Sequence, residues 1–370
     1  MRGQEARRPT DRLMRMPSDP AADGVRSRAT LSEVASLADV SVSTVSKVLN
    51  GRSGVSSETR ERIEELLQDH QYNRRGAKQQ PAPLLEVLCY EIGSPFASDL
   101  LASIDQVARR RRLGLVLSGA TERHLPEPSW ADDVLRRQPV GVILVACRLA
   151  ARDKQRLRSR NIPLVMVDPA GNPGPDVPSI GSADWNGGYL ATRHLIELGH
   201  RRIGIITGPS DMLASTARLS GYRAALESAG IAGDPELIRP GEFHHADGLA
   251  GGRALLSLPE RPTAIFASSD LYALGVYEAA RSLGHTIPGD LSVVGYDDLR
   301  IAQWAGPPLT TIHVPLLAMA EQAVQLVTRL ADEPDLTFTR IDIDTSLVVR
   351  ASTAAPARAA RTSRTKVSGS

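Results

Sequence analysis

The chain has 370 residues, of which 42% are hydrophobic and 23% charged, and its net charge is +2. That length is too great for one ordinary core and implies two or three domains of a soluble globular protein; the near-neutral balance excludes a uniformly polycationic chain. No apolar run approaches the ~20 residues of a membrane-spanning helix, and the N-terminus lacks the apolar region of a secretory signal, so a cytoplasmic protein is expected.

Residues 1–28 hold seven arginines against four acids and show no hydrophobic period, so they read as a disordered basic arm. The pattern changes at Thr30. Thr30-Leu31-Ser32-Glu33 is a capping box, and Leu31, Val34, Ala35 and Ala38 line one face of a short helix. Asp39 and Val40 form a turn. Ser41 caps a second helix over 42–49, with Val45, Val48 and Leu49 inward. Asn50-Gly51 ends it. Ser56 starts a third helix over 57–70, with Ile63, Leu66 and Leu67 inward. Three short helices, the first two joined by a three-residue turn, make a helix-turn-helix domain over 29–72.

In that motif the second helix meets base edges in the major groove. Its exposed positions here are Val42, Ser43, Thr44 and Lys47, with Ser41, Ser46 and Asn50 beside them. Hydroxyls bond phosphates or bases, Val42 suits a thymine methyl, and Lys47 reaches guanine acceptors. Small hydroxylated side chains permit a close approach to the groove. The alternative is a three-helix domain that binds protein.

Residues 73–83 form a basic, proline-containing linker. From Leu84 strands and helices alternate. Strands are predicted at 84–90, 113–118, 141–146, 163–167, 203–207, 264–268 and 291–296. Helices are predicted near 98–111, 129–138, 150–160, 184–198, 214–229, 246–257 and 270–284. This alternation argues an α/β fold with parallel sheets, and the series restarts near residue 183, which favours two doubly wound sheets over one. Ligands of such sheets bind beyond the carboxyl ends of the strands. Cys89 and Cys147, the only cysteines, sit singly in apolar runs; they read as buried thiols, not as a disulfide or zinc site. Residues 351–370, with four cations and no acid, read as a disordered basic tail.

TLSEVASLADVSVSTVSKVLNGRSGVSSETRERIEELLQDHQY resembles the DNA-binding head of the lactose-repressor (LacI/GalR) family. LGHRRIGIITGP, ARLSGYRAAL, PTAIFASSDLYALGVYEA, DLSVVGYDDL and PPLTTIHVPLLAMA resemble its regulatory core, in the same order. The resemblance covers about 30 to 350. It implies a periplasmic-binding-protein-like core over 84–350, with crossovers between its two subdomains near 183 and 311. It further implies a small effector in the cleft, homodimerisation, and a near-palindromic double-stranded operator as the DNA partner.

The linker departs from the family. After Tyr72 the usual proline and the minor-groove leucine are absent, and Pro81 stands where the leucine is expected. Gly76 and Pro81 weaken a hinge helix. Arg74, Arg75 and Lys78 remain candidates for phosphate contacts, against the alternative of a solvated linker.

For the effector, Asp168 ends PLVMVD, Arg218 lies in ARLSGY, Ser269 follows AIFAS, and Asp297 ends SVVGYD. Carboxylates and a guanidinium suit a polyhydroxylated ligand, so a sugar or sugar derivative is expected. Phe96, Trp185 and Phe243 are candidate stacking rings. The resemblance places Arg218, Ser269 and Asp297 at effector-contact positions, with Ser269 where many members carry Asn. The alternatives are a salt bridge or helix cap for Arg218 and Asp297, and core packing for Phe96 and Trp185. His244-His245 suits a loop at the cleft rim; no third residue stands at ligand spacing, so no metal is expected. The Walker phosphate loop and the Gly-x-Ser-x-Gly elbow are both missing. No cofactor and no enzyme activity are therefore expected. A sugar sensor without DNA binding, and a sugar kinase or dehydrogenase fused to the head, are the competing classes. The tail carries no leucine heptad, so a dimer is expected rather than a coiled-coil tetramer.

Overall fold

The computed structural model describes residues 30–49, 54–69, 81–120, 124–174, 176–333 and 340–357. The chain divides into two compact units, Met1–Arg75 and Gly76–Ser370. The first holds three helices: α1 (Leu31–Leu37), α2 (Val42–Leu49) and α3 (Ser57–Asp69). Thr30 Oγ1 accepts the Glu33 N–H and the Glu33 carboxylate accepts the Thr30 N–H, so the expected capping box is formed. Asp39 takes a positive φ of 50° in the turn, a conformation that aspartate tolerates better than most residues. Arg62 of α3 donates to the Ala38 carbonyl at 2.6 Å and ties the third helix to that turn. Val34, Ala35, Ala38, Val45, Val48, Leu49, Ile63 and Leu67 form the small core.

The second unit is built of two lobes. Lobe A contains β1 (Ala82–Cys89), α4 (Pro95–Arg110), β2 (Gly114–Gly119), α5 (Trp130–Arg137), β3 (Pro139–Val145), α6 (Ala151–Arg158), β4 (Leu164–Val167) and β5 (Ser179–Ser182). Lobe B contains α7 (Asp184–Glu197), β6 (Ile203–Thr207), α8 (Leu213–Ser228), β7 (Ile238–Pro240), α9 (His245–Leu256), β8 (Ala264–Ala267), α10 (Asp270–Ser282), β9 (Ser292–Asp297), α11 (Arg300–Trp304) and β10 (Thr310–His313). Then α12 (Leu316–Asp332) and β11 (Arg340–Ile343) return to lobe A, and β12 (Ser346–Val348) ends in lobe B.

The sheet orders are β11-β5-β4-β3-β1-β2 and β12-β10-β9-β8-β6-β7. Leaving aside the last strand of each, both lobes repeat one order, with the second strand outside the first and the third on its other side. All pairings are parallel except β10 with β12. The two doubly wound sheets expected from the alternation are present. The inner strands β3, β6 and β9 are mostly apolar and buried on both faces, as helices on both sides of a parallel sheet require, while edge strands such as β2 and β11 are partly exposed.

Four expectations are corrected here. The chain crosses between lobes three times, not twice: at 183 and at 314–315, close to the two expected places, and again at 344–345. The third crossing is carried by β11 and β12, two short edge strands that the predicted series does not include. The other short strands β5, β7 and β10, and the helices α11 and α12, also lie outside the strand-helix series read from the sequence. Fourth, residues 351–357 do not belong with the disordered tail. Ser352 is fully buried; its Oγ donates to the Val293 carbonyl at 2.6 Å and accepts the Thr310 N–H at 2.8 Å. A segment held by hydrogen bonds to a sheet needs no apolar periodicity, so Ala-Ser-Thr-Ala-Ala gives no signal in the sequence.

Helices α7 and α8 cross at glycines. A Cβ on Gly188 would strike the Arg218 carbonyl, and one on Gly221 would strike the Trp185 carbonyl. This close crossing brings Arg218 on α8 beside Asp184, the first residue of α7. On an exposed helix Gly→Ala stabilises by up to ~1 kcal/mol. Here Gly221→Ala is expected to destabilise the second unit by about 1–3 kcal/mol, since backbone must move. Urea unfolding followed by circular dichroism checks the sign; a more stable variant would refute the close crossing.

Candidate effector cleft and nucleic-acid interface

In the first unit, α2 buries Val45, Val48 and Leu49 and turns its other face outward. Val42, Ser43 and Lys47 are exposed, and Thr44 and Ser46 partly so. Ser41 Oγ accepts the Thr44 N–H at 3.1 Å and lies 2.7 and 2.8 Å from the hydroxyls of Ser43 and Thr44. Three of the expected DNA-contact hydroxyls thus cluster at the start of α2, where the helix dipole favours an anion such as a phosphate. Ser41 serves first as the cap of its helix. Asn50, Arg74, Arg75 and Lys78 lie outside the described residues.

In the second unit, a cavity with about 800 Å³ of empty space, its mouth included, lies between the lobes. That size suits a small ligand. Its walls come from the carboxyl ends of both sheets. Tyr90, Glu91, Ser94 and Phe96 follow β1, His124 follows β2, Ala146 follows β3, and Asp168 follows β4. From lobe B come Pro209, Met212, Ala214 and Arg218 after β6, Glu242 and Phe243 after β7, Ser269 and Leu271 after β8, and Asp297 and Leu299 from β9 onward. Each sheet's switch point, between β1 and β3 and between β6 and β8, faces this space, which is where such sheets bind ligands.

Arg218 forms the floor. Its Nε donates to Asp184 Oδ1 at 2.8 Å, and its Nη1 donates to the Ser268 carbonyl at 2.8 Å and stands 3.9 Å from Asp297 Oδ1. Its Cζ lies 3.7 Å from the centre of the Tyr296 ring. Burial works against its charge, but Asp184 and the other nearby acids more than offset this, so its pKa is raised. Asp184 Oδ1 also accepts from Ser182 at 3.0 Å and from Tyr296 at 3.2 Å. Ser182 is the last residue of lobe A before the first crossing, so this hub joins the cavity floor to the junction between lobes.

Asp168 and Asp297 face the cavity from opposite lobes. Neither side chain accepts a hydrogen bond among the described residues. Both have positive φ, 49° and 108°, as do Glu91, Ala146 and Phe243 beside them, a concentration of sparsely populated conformations of the kind that gathers at ligand clamps. Burial, together with the charge of Asp184, pushes Asp168 up to about 6 against the pull of Arg218. Asp297 is likewise raised well above the usual carboxylate range, by burial first. Phe243 stacks on Tyr272 with centroids 5.5 Å apart. Its ring fits because residue 208 is glycine; a Cβ there would collide with it.

Among the described residues three ion pairs bridge the lobes. His244 Nε2 meets Glu91 Oε1 at 2.8 Å, Arg148 meets Asp211 at 2.9 Å, and Arg300 meets Asp99 at 2.8 Å. The Glu91 contact raises the His244 pKa. His244 is therefore at the rim, as its sequence position suggested, and among the described residues no group of three or more His, Cys, Asp or Glu is placed to hold a metal.

The structure thus brings Phe96, Asp168, Arg218, Phe243, Ser269 and Asp297 together on one cavity. Trp185 is the exception. It is 49% exposed on the outer face of α7, stacked on Tyr189 with centroids 5.4 Å apart. It stands directly after a crossing, where the sequence does not reveal which way the helix turns. Ser269 lines the cavity, but its hydroxyl also caps α10 by accepting the Leu271 N–H at 3.1 Å. Sequence reasoning missed Asp184, Tyr296, Glu91 and Glu242. Only the strand-end rule reaches Glu91 and Glu242, and nothing local singles out Asp184.

A helix-turn-helix unit and a two-lobed core enclosing a cavity at facing sheet ends define a class, that of DNA-binding regulators with a periplasmic-binding-protein-like core. A model of bacterial regulatory proteins of the lacI family matches residues 30–75, and one of periplasmic binding protein-like domains matches residues 192–353. The HTH-type transcriptional repressor PurR of Haemophilus influenzae (strain PittEE) is 33% identical over 333 residues, which cover 88% of this chain and 98% of that protein. Among solved structures, a complex of the transcriptional regulator CelR with cellobiose is 32% identical with a TM-score of 0.68, covering 88% of this chain and all of the other. A lac repressor dimer bound to operator and the anti-inducer ONPF is 27% identical with a TM-score of 0.65, covering 88% of this chain and 99% of the other. The chain belongs to the LacI family of bacterial regulatory proteins. No described helix is long and apolar enough to cross a membrane.

The raised Asp168 pKa has a sign that can be tested. A carboxyl whose folded pKa exceeds its unfolded value stabilises the fold below the unfolded value, and that stability is lost as pH rises through the folded one. For Asp168 the loss runs from about 4 to about 6. Asp168→Asn, which tolerates the positive φ, is expected to melt higher than the parent near pH 7.5 without ligand, with a smaller gap near pH 5. Calorimetry at both pH values decides; a variant that melts lower near pH 7.5 would show that Asp168 has a stabilising partner.

Proposed function

We propose that this protein is a homodimeric transcriptional repressor that reads a near-palindromic operator and is controlled by a sugar or sugar derivative bound in the cleft. The observation that carries the reading is the pair Asp168 and Asp297, facing each other across the lobes beside Arg218 with acceptor capacity unused. Each carboxylate oxygen can accept from a hydroxyl of the ligand. Nη2 of Arg218 has no partner among the described residues and can donate to a ligand oxygen. Phe96 and Phe243 offer apolar surface for the face of a sugar ring. The cellobiose complex of CelR and the operator complex of the lac repressor dimer support both halves of the reading.

The mechanism follows from where these groups stand. A ligand held by Asp168 in lobe A and by Asp297 and Arg218 in lobe B favours one angle between the lobes. Arg218 is bonded to Asp184 at the first crossing, so that angle and the occupancy of the cleft are linked. The ligand changes DNA affinity only through its different affinity for the two lobe arrangements. Regulation in this way calls for no catalytic group, and the relatives are repressors, which supports a regulator over an enzyme and a site of action on cytoplasmic DNA.

Selection of duplexes from a random library by the full chain, with and without a pool of sugars, tests the proposal. Enrichment of a near-palindrome in one condition and its loss in the other is the expected result. No enriched sequence in either condition, together with a sugar that raises the melting temperature, would replace the regulator by a sugar sensor. On the enriched duplex, Lys47→Ala is expected to weaken binding tenfold or more, since a specific base contact contributes about 1–3 kcal/mol. The same variant should keep the parent's sugar-induced thermal shift; loss of both would show that the first unit does not read DNA on its own.

A further inference from the structure

The cavity lining is unbalanced in charge. Among the described residues, Arg218 is its only lysine or arginine, and that cation is already matched by Asp184. Both partners are almost fully buried, with side chains 5% and 2% exposed. Four further carboxylates line the space: Glu91, Asp168, Glu242 and Asp297. Glu91 has His244 at 2.8 Å. The other three accept no hydrogen bond among the described residues, and Asp297, at 6% exposure, has only the edge of Arg218 at 3.9 Å.

Helix N-termini could compensate, because parallel strands deliver them to this end of each sheet and free N–H groups there bind anions. Here most are occupied by the protein's own oxygens. Ser94 Oγ accepts the Ala97 N–H at the start of α4. Asp247 accepts the N–H groups of Glu242 and His244 at the start of α9. Ser269 caps α10. Of the helix starts that line the cavity, α8 and α11 have no side-chain cap; at α8 Met212 and Ala214 present apolar surface, and at α11 the Leu299 N–H is taken by Asp270 at 2.8 Å.

We infer that the cleft selects by charge: it takes an uncharged, hydroxyl-rich molecule and excludes the same molecule once it carries a phosphate or carboxylate group. Hydroxyls supply the donors that Asp168, Glu242 and Asp297 lack. An anionic group brought among them meets the carboxyls of Asp168, Glu242 and Asp297 against a single cation, Arg218, whose charge is already matched by Asp184. In a partly desolvated site one such contact at 4 Å weakens binding by about a hundredfold or more. The inference rests on the cleft being the effector site, and it narrows the class of effector.

The test uses the full chain and matched probes: D-ribose with ribose 5-phosphate, D-glucose with glucose 6-phosphate and glucuronate, and cellobiose with cellobionate. Titration calorimetry and thermal shift near pH 7.5 read the affinities. The expected result is a neutral sugar that binds, with its acidic partner a hundredfold weaker or silent. In Asp168→Asn/Glu242→Gln the gap should narrow tenfold or more, with the neutral sugar bound no more tightly. An acidic sugar that binds as tightly as its parent, or binds while its parent is silent, overturns charge selection and leaves the sugar reading standing. Silence from every pair removes the sugar reading and this inference with it.

Discussion

The second unit depends on one buried ion pair. Arg218 and Asp184 are each almost wholly removed from water, and an unpartnered charge at either place would cost several kcal/mol. The pair persists because its surroundings complete it: Ser268 supplies a carbonyl, Tyr296 a ring face and a hydroxyl, and Ser182 a second hydroxyl. Those partners come from β5, β8 and β9 or the turns that follow them. The pair therefore needs both lobes assembled, and it holds the first crossing of the chain next to the floor of the cleft. The glycines that let α7 and α8 approach serve the same end, since any side chain at Gly188 or Gly221 would separate the two charged residues.

Around that floor the protein holds arrangements that do not favour its own stability. Asp168, Asp297 and Asp270 are carboxyls raised by burial, and several cleft residues take backbone conformations that few side chains adopt. Asp270 is relieved from within, by Thr311 at 2.6 Å and the Leu299 N–H at 2.8 Å. Asp168 and Asp297 are not. The difference separates a carboxylate satisfied inside the fold from two left open to the cavity, and perturbed acids commonly gather where binding occurs. Cross-lobe pairs such as Glu91 with His244 lie at the solvent-exposed rim, where screening makes each worth little.

The sequence carried the local structure and the family. The capping box at Thr30, the apolar faces of the three small helices, and the strand-helix rhythm from residue 84 follow from side-chain periodicity and capping chemistry, which act within a few residues. The strand-end rule found Asp168, Ser269 and Asp297, and the motif resemblance found Arg218, because both depend on a residue's place in the chain. What the sequence could not supply depends on pairing at a distance. Residues 351–357 are held by hydrogen bonds to strands remote in sequence, so their composition is unmarked, and β11 and β12 are so short that only their pairing with β5 and β10 assigns them to a sheet. The third crossing exists only because those strands lie in different sheets. Trp185 and Asp184 are neighbours in sequence, yet one faces solvent and the other the cavity floor; the phase of α7, set by its packing on α8, decides between them. Whether a carboxylate is paired or left open depends on which donors the assembled fold brings within 3 Å, and only the tertiary structure determines that.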